Sequence, residues 1–246
     1  MPQSTLSTPK PDLSVILPAL AADTEFLRCL YAVRAALSGR ISYEIISVVK
    51  EMNTFADLKS PDLFIVPEET RGIYAAMNHG LDHANGTYVY FIGQDDVLLP
   101  QAIEALKRGL EAQADLILAD VFYGKERVYK NRPSPYWLIW RNWCHQGIFY
   151  RRDLLRKTEI RFHEAFVTQA DHYMNIVLTA GYDATILKFD GCIAWYSASG
   201  VSTKTLDSAF RARFPSLINE YFGLPLFLSV VSRRALLAVV RKVFHR

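Results

Sequence analysis

Ala84-Asn85-Gly86-Thr87-Tyr88-Val89-Tyr90-Phe91-Ile92-Gly93-Gln94-Asp95-Asp96 decides how this chain folds. Asn85-Gly86 is a turn signal. Tyr88–Ile92 behind it is an unbroken apolar run, too uniformly apolar for a strand with one wet face. Such a run predicts a strand covered on both sides. Gly93-Gln94-Asp95-Asp96 then sets two acids just past the strand's carboxyl end, where ligands bind in open α/β sheets.

Upstream, Ile73–Ala84 carries Ile73, Ala76, Met77 and Leu81 at helical spacing. Leu63–Val66 reads as a short strand, Tyr43–Val49 as a longer one, and Leu13–Leu17 as a first strand stopped by Pro18. Asp23 or Thr24 caps a helix running to about Leu37, and Gly39 ends it. Downstream, Pro100–Ala112 is helical and Asp115–Ala119 extended. Strand and helix alternate to about residue 120, which predicts an α/β fold with a mostly parallel central sheet flanked by helices. The pattern then changes. Val121–Lys130 reads as a hairpin, Pro133–Tyr150 is crowded with aromatics, and Asp171–Ala180 is a helix ended by Gly181. Ala184–Phe189 and Ile193–Tyr196 read as two strands. The expected division is a flexible start (1–11), a ligand-binding half (12–120), a half completing the site (121–203) and a helical extension (204–246).

Composition excludes several classes. Of 246 residues, 50% are hydrophobic and 22% charged, enough apolar mass for a core and against a disordered or fibrous chain. A net charge of +3 gives no case for nucleic acid, and none is expected as a partner. Cys29, Cys144 and Cys192 are scattered without a CxxC, so reduced thiols in a cytoplasmic setting are expected. Residues 1–11 have no apolar signal-peptide core, and Tyr221–Val231 falls well short of the roughly 20 residues of a bilayer span. From Lys204 to Arg246, eight Lys/Arg face two acids, so a basic tail follows a mildly acidic body.

Ser14–Leu20 holds no glycine, so neither GxGxxG nor GxxxxGK[ST] follows the first strand. Dehydrogenases, P-loop enzymes and Gly-rich nucleotidyltransferases are disfavoured. GxSxG and HExxH are absent too. Asp95 and Asp96 supply the hard oxygen ligands that Mg²⁺ or Mn²⁺ would need against a diphosphate. Alternatively, they cap the helix near Pro100.

Glu69-Thr70-Arg71-Gly72-Ile73-Tyr74-Ala75-Ala76-Met77-Asn78-His79-Gly80, followed by Ala84–Asp96, resembles the bacterial family 2 glycosyltransferases of the A-type nucleotide-sugar fold. The likeness is to the branch that builds surface polysaccharides, lipopolysaccharide included. His145–Arg152 and Phe162–Tyr173 match two further segments of that family in order, and the likeness covers roughly residues 12–203. It implies a single A-type domain and an inverting, metal-dependent transfer from a nucleotide diphosphate sugar to a glycan acceptor, lipid-linked in this branch. By resemblance, Asp96 contacts the Mn²⁺ or Mg²⁺ directly, Asp95 assists and orients the donor, and Gln94 takes a polar position beside them. Asp171 matches the catalytic base that removes the acceptor hydroxyl proton. Pro18, Glu51, Arg71 and Asn78 fall on the donor side. Arg71 could reach a phosphate at a helix amino end, and Asn78 either makes a buried hydrogen bond or touches the donor. Trp143, His145 and Gln146 fall on the acceptor side. Trp137, Trp140 and Trp143 would share one helical face against a sugar or lipid headgroup, or else sit in the core. Ser199-Gly200-Val201-Ser202 resembles the segment that closes near the donor phosphates.

Three departures concern the donor. Lys50-Glu51 ends the second strand where relatives carry a base-recognising aspartate, and Glu51 is the substitute at hand. Ala19-Leu20 replaces polar residues after Pro18, and Ala75 stands where an aspartate is common. They imply an altered donor preference or, alternatively, a catalytically weak glycan-binding or complex-forming subunit. In the tail, Leu236, Leu237, Val240 and Phe244 line one helix side, with Arg234, Arg241, Lys242 and His245 spread elsewhere. That predicts a basic amphipathic element lying on an anionic membrane, peripheral on the cytoplasmic face of the inner membrane. The same helix could instead pack on the body or join two copies as a homodimer.

Overall fold

The computed structural model describes residues 10–125, 127–197 and 205–244, the last seven as backbone only. Strands β1 (Leu13–Ile16), β2 (Tyr43–Val49), β3 (Leu63–Pro67) and β4 (Tyr88–Phe91) are parallel, in the order β3-β2-β1-β4. β8 (Ile148–Arg151) then joins antiparallel to β4. β4 is therefore interior to the sheet, and all four of its residues are buried, which accounts for its unbroken apolar run.

Two core layers flank the sheet. On one side Phe26, Leu30 and Val33 of α1 (Thr24–Leu37) and Ile103 and Leu106 of α3 (Ala102–Ala112) pack against it. On the other lie Tyr74 and Met77 of α2 (Ile73–His83), Met174 of α5 (Ala170–Ile176) and Phe214 and Leu217 of α6 (Ser208–Phe222). Asp23 caps α1 as expected, accepting from the Phe26 amide at 2.9 Å.

Beyond β8 the sheet continues through β6 (Leu116–Tyr123), β9 (Ile186–Tyr196) and the short β5 (Val97–Leu98), with β7 (Arg127–Tyr129) paired to β6. The two strands expected at 184–189 and 193–196 are one. The Asp190-Gly191 interruption is absorbed by a register shift opposite Asp120, where Lys188 pairs with Asp120 at 2.7 Å. A short α4 (Arg152–Thr158) follows β8, and α5 widens into a π turn over Val177–Gly181. Gly223, at φ 84°, turns α6 into α7 (Leu224–Phe244). No helix of the described residues is long and apolar enough to cross a membrane.

The tryptophans do not form one helical face. Pro135–Ile139 is a single 3₁₀ turn, Trp140 lies at its end, and Trp143 follows in a loop. Trp143 is fully buried, with its indole N–H donating to the Arg132 carbonyl at 2.7 Å. That places it in the core, the second of the two positions its sequence left open.

Candidate active site

The Gly93–Asp96 loop leaves β4 at the carboxyl edge of the parallel strands. Gly93 is needed there because a Cβ would come 2.9 Å from Asp95 Oδ1 and 3.1 Å from Asp96 Oδ2. Asp96 is buried, accepting from Gln146 Nε2 at 2.8 Å and from the Ser197 amide at 3.0 Å. Burial, and then the charge of Asp95, push its carboxyl up to about 6. Asp95 accepts the Ser197 hydroxyl at 2.5 Å, and its carbonyl holds Arg28 at 2.6 Å. Gln94 bridges back to the segment between β1 and α1, accepting from the Leu20 amide at 2.8 Å and donating to Asp23 at 3.1 Å.

Asp171 lies in the first turn of α5, also buried. Its Oδ1 accepts the Tyr74 hydroxyl at 3.2 Å and the His172 amide at 2.8 Å. Its Oδ2 accepts Asn142 Nδ2 at 2.9 Å, with His145 Nδ1 at 3.4 Å. Asn142 Oδ1 accepts from Asn175 Nδ2 at 3.2 Å, and Asn175 Oδ1 in turn accepts the Tyr150 hydroxyl at 3.0 Å. Low-dielectric burial and the carboxylate beside it push the Tyr74 phenol well above its usual range. Tyr74 therefore stays a donor to Asp171.

A single 3₁₀ turn, His145–Gly147, connects the two acidic centres: His145 stands beside Asp171 and Gln146 holds Asp96. The buried Tyr90 hydroxyl fixes the turn from below through the Gln146 carbonyl at 2.8 Å. His145 and Gln146 thus sit between the acid pair and Asp171, whereas Trp143 does not reach the site.

The donor-side residues separate. Asn78 is buried, and its side-chain hydrogen bonds among the described residues run to Phe162 and Glu164 and not to the acid loop. It pins Phe162 from both backbone sides, at 2.9 and 3.0 Å, and touches Glu164. Pro18 is buried at the end of β1. Glu51 is exposed at the end of β2, with its amide on the Leu20 carbonyl at 3.0 Å. Arg71 is exposed just before α2, where Gly72 takes φ 125°. Ser199–Ser202 lies outside the described residues. Sequence reasoning missed Tyr74, Asn142 and Ser197. Tyr74 had a signal, since it precedes Asn78 by one helical turn on the same face of α2.

The donor set suits Mg²⁺ or Mn²⁺. Among the described residues no three His, Cys, Asp or Glu side chains converge. Asp95 and Asp96 would supply one or two carboxylates, leaving the other positions to phosphate and water, as is usual for Mg²⁺. The raised Asp96 carboxyl marks negative charge that a cation would neutralise. All three cysteines are free, and burial pushes the Cys29 and Cys144 thiols well above their usual range.

A mostly parallel α/β sheet with an acid pair at the carboxyl edge of its parallel strands, linked by one turn to a further, buried carboxylate, defines an A-type transferase architecture. The description "Glycosyl transferase family 2" matches residues 14–170, and the chain belongs to that family of glycosyltransferases. It is 28% identical over 237 residues to the PGL/p-HBAD biosynthesis glycosyltransferases of Mycobacterium bovis and Mycobacterium tuberculosis, covering 91% of each chain. The S. aureus TarS 1-349 structure in complex with UDP-GlcNAc superimposes with a TM-score of 0.62 at 16% identity, over 85% of this chain and 65% of that one. The mannosyltransferase PcManGT from Pyrobaculum calidifontis, in complex with GDP-Man and Mn2+, gives 0.58 at 16% identity, over 97% and 82%.

Proposed function

We propose that the protein is an inverting, cation-dependent glycosyltransferase. It would move one sugar from a nucleotide diphosphate donor to a lipid-linked glycan acceptor in surface-glycan assembly. The observation that carries this reading is the His145–Gly147 turn, which ties the Asp95/Asp96 loop to Asp171 through two adjacent side chains. Glycosyl transfer needs that juxtaposition: a diphosphate held at one end and a base at the other.

A divalent cation on Asp96 and Asp95 would offset the charge that develops on the departing diphosphate. Asp171 takes the acceptor hydroxyl proton. Tyr74, Asn142 and the His172 amide occupy three of its roughly four acceptor positions. The fourth, on Oδ2, meets only the long His145 contact among the described residues, and there an acceptor hydroxyl would enter. The hydroxyl oxygen attacks the anomeric carbon as the bond to the diphosphate oxygen breaks, and the proton passes to Asp171. Single displacement inverts that carbon. Arg71, exposed beside the amino end of α2, would meet a phosphate, and Leu20 and Glu51 would border the base.

The test is nucleotide diphosphate release from UDP-GlcNAc and GDP-mannose, with a bacterial lipid extract as acceptor source, in Mn²⁺ and in EDTA. Release that needs the cation and falls about 10²–10⁴-fold in Asp171→Asn, with donor affinity kept, is the expected result. Donor binding without release would favour the glycan-binding subunit that Ala75 and the missing β2 aspartate leave open.

A further inference from the structure

The Pro135–Trp140 segment, passed over by the site, carries two outward aromatic rings. Tyr136 is 63% exposed and Trp140 45% exposed. Both are tied to the carboxyl-terminal helices. The Tyr136 ring lies 5.8 Å from Phe222 at the end of α6, and the Arg233 guanidinium of α7 sits 5.0 Å from the centre of the Trp140 ring. α7 packs inward on α6 through Val230 and Arg234, the latter donating to the Arg211 carbonyl at 3.0 Å. Arg233, Leu236 and Leu237 are left exposed within an arc of about 100° of the helix, on the flank that meets Trp140.

Charge narrows the choice of occupant. Both acids from 204 onward are already consumed. Asp207 is buried and accepts the Phe210, Thr168 and Gln169 amides. Glu220 pairs with Arg213 at 2.6 Å. This end of the molecule therefore presents cations, leucines and two amphipathic rings, the composition of an interfacial element facing anionic lipid.

We propose that Tyr136, Trp140 and the Arg233–Leu237 flank of α7 form one docking face for an anionic bilayer. The face borders the acceptor side of the site. Two residues after Trp140 the chain reaches Asn142, which holds Asp171, and then His145. Docking by this face brings that end of the site against the membrane, where a lipid-linked acceptor resides. This last consequence rests on the function proposed above. The docking itself does not.

Co-sedimentation tests the docking without any transfer assay. The full chain is mixed with vesicles of phosphatidylcholine plus phosphatidylglycerol, or of phosphatidylcholine alone, at low and high salt. The expected result is pelleting with the anionic vesicles at low salt only. Tyr136→Ser with Trp140→Ser, and separately Leu236→Ser with Leu237→Ser, should each weaken binding about tenfold, with thermal melts showing both variants folded. Three outcomes overturn the proposal: no pelleting of the unaltered chain, variants that pellet as it does, or a dimer in solution that these substitutions dissolve. The last would mean that a second copy covers the face.

Discussion

Asp96 carries a conflict between stability and chemistry that single substitutions can expose. Its carboxyl is raised from 3.8 to about 6, chiefly by burial, so the folded chain binds that proton before the unfolded chain does. The group therefore costs stability above pH 6, and the cost fades as pH falls toward 4. A displacement of that size corresponds to roughly 3 kcal/mol. Asp96→Asn removes it but weakens the bonds from Gln146 and Ser197. A net gain of about 1 kcal/mol is expected in metal-free buffer at pH 7.5, shrinking toward pH 4. Urea unfolding in EDTA at both pH values checks this. The same variant should lose most turnover and any Mn²⁺-dependent rise in Tm with nucleotide diphosphate present. A variant less stable than the parent at pH 7.5 would mean that the carboxylate earns its place by hydrogen bonding alone. The acids were legible in the sequence because two charges directly after an apolar strand are conspicuous. Asn142 and Ser197 were not, because their partners lie 29 and about a hundred residues away, and Tyr74, though one helical turn from Asn78, reaches Asp171 across 97 residues.

Among the elements, the His145–Gly147 turn leaves no freedom at its glycine. A Cβ on Gly147 would come 2.5 Å from the Ala119 carbonyl and 2.6 Å from Asn131 Nδ2, and the first of these is strand backbone. Gly147→Ala is expected to cost about 1–3 kcal/mol. It should also shift Gln146 off Asp96, lowering turnover more than the stability loss explains. Denaturant unfolding beside donor release at a temperature where both proteins are folded separates the two effects. Unchanged release would detach the turn from the site. At this scale the sequence was legible wherever local chemistry rules: β2 was read as it stands, and the α1 cap was narrowed to Asp23 or Thr24, of which Asp23 is the one used. It failed where distant pairing rules. β9 was read as two strands because the bulge that carries it past Gly191 is set by Asp120 on β6. The tryptophan spacing suggested a helix, yet Pro135–Ile139 is only one 3₁₀ turn, and the buried Trp143 answers to Arg132 instead.

For the whole molecule, the carboxyl-terminal region separates into a part that builds the fold and a part that lies on it. α6 buries Phe210, Phe214, Leu217 and Ile218 in the same core cluster as Met174 of α5 and Tyr74 of α2. The buried Asp207 caps α6 and also holds the Thr168 and Gln169 amides, just ahead of Asp171. α7 buries Val230 and leaves much of its surface out, Leu228 and Leu236 included. At about 1.5–3 kcal/mol for each large buried side chain, losing the four of α6 would remove an amount comparable with the 5–15 kcal/mol that stabilises a typical domain. A chain stopping before Ser208 is therefore expected to have no cooperative unfolding transition. One stopping at Gly223 keeps α6 and its cap and loses only the contacts of α7, so it should unfold cooperatively with a lower midpoint. Asp207→Ala in the full chain should fall between them, costing about 2–3 kcal/mol because it strands the buried Phe210 amide and two half-buried ones, Thr168 and Gln169, and not one cap alone. Urea unfolding followed by circular dichroism orders the three. If the chain stopping before Ser208 unfolds cooperatively with the midpoint of the full chain, α6 is an appendage and the core closes without it.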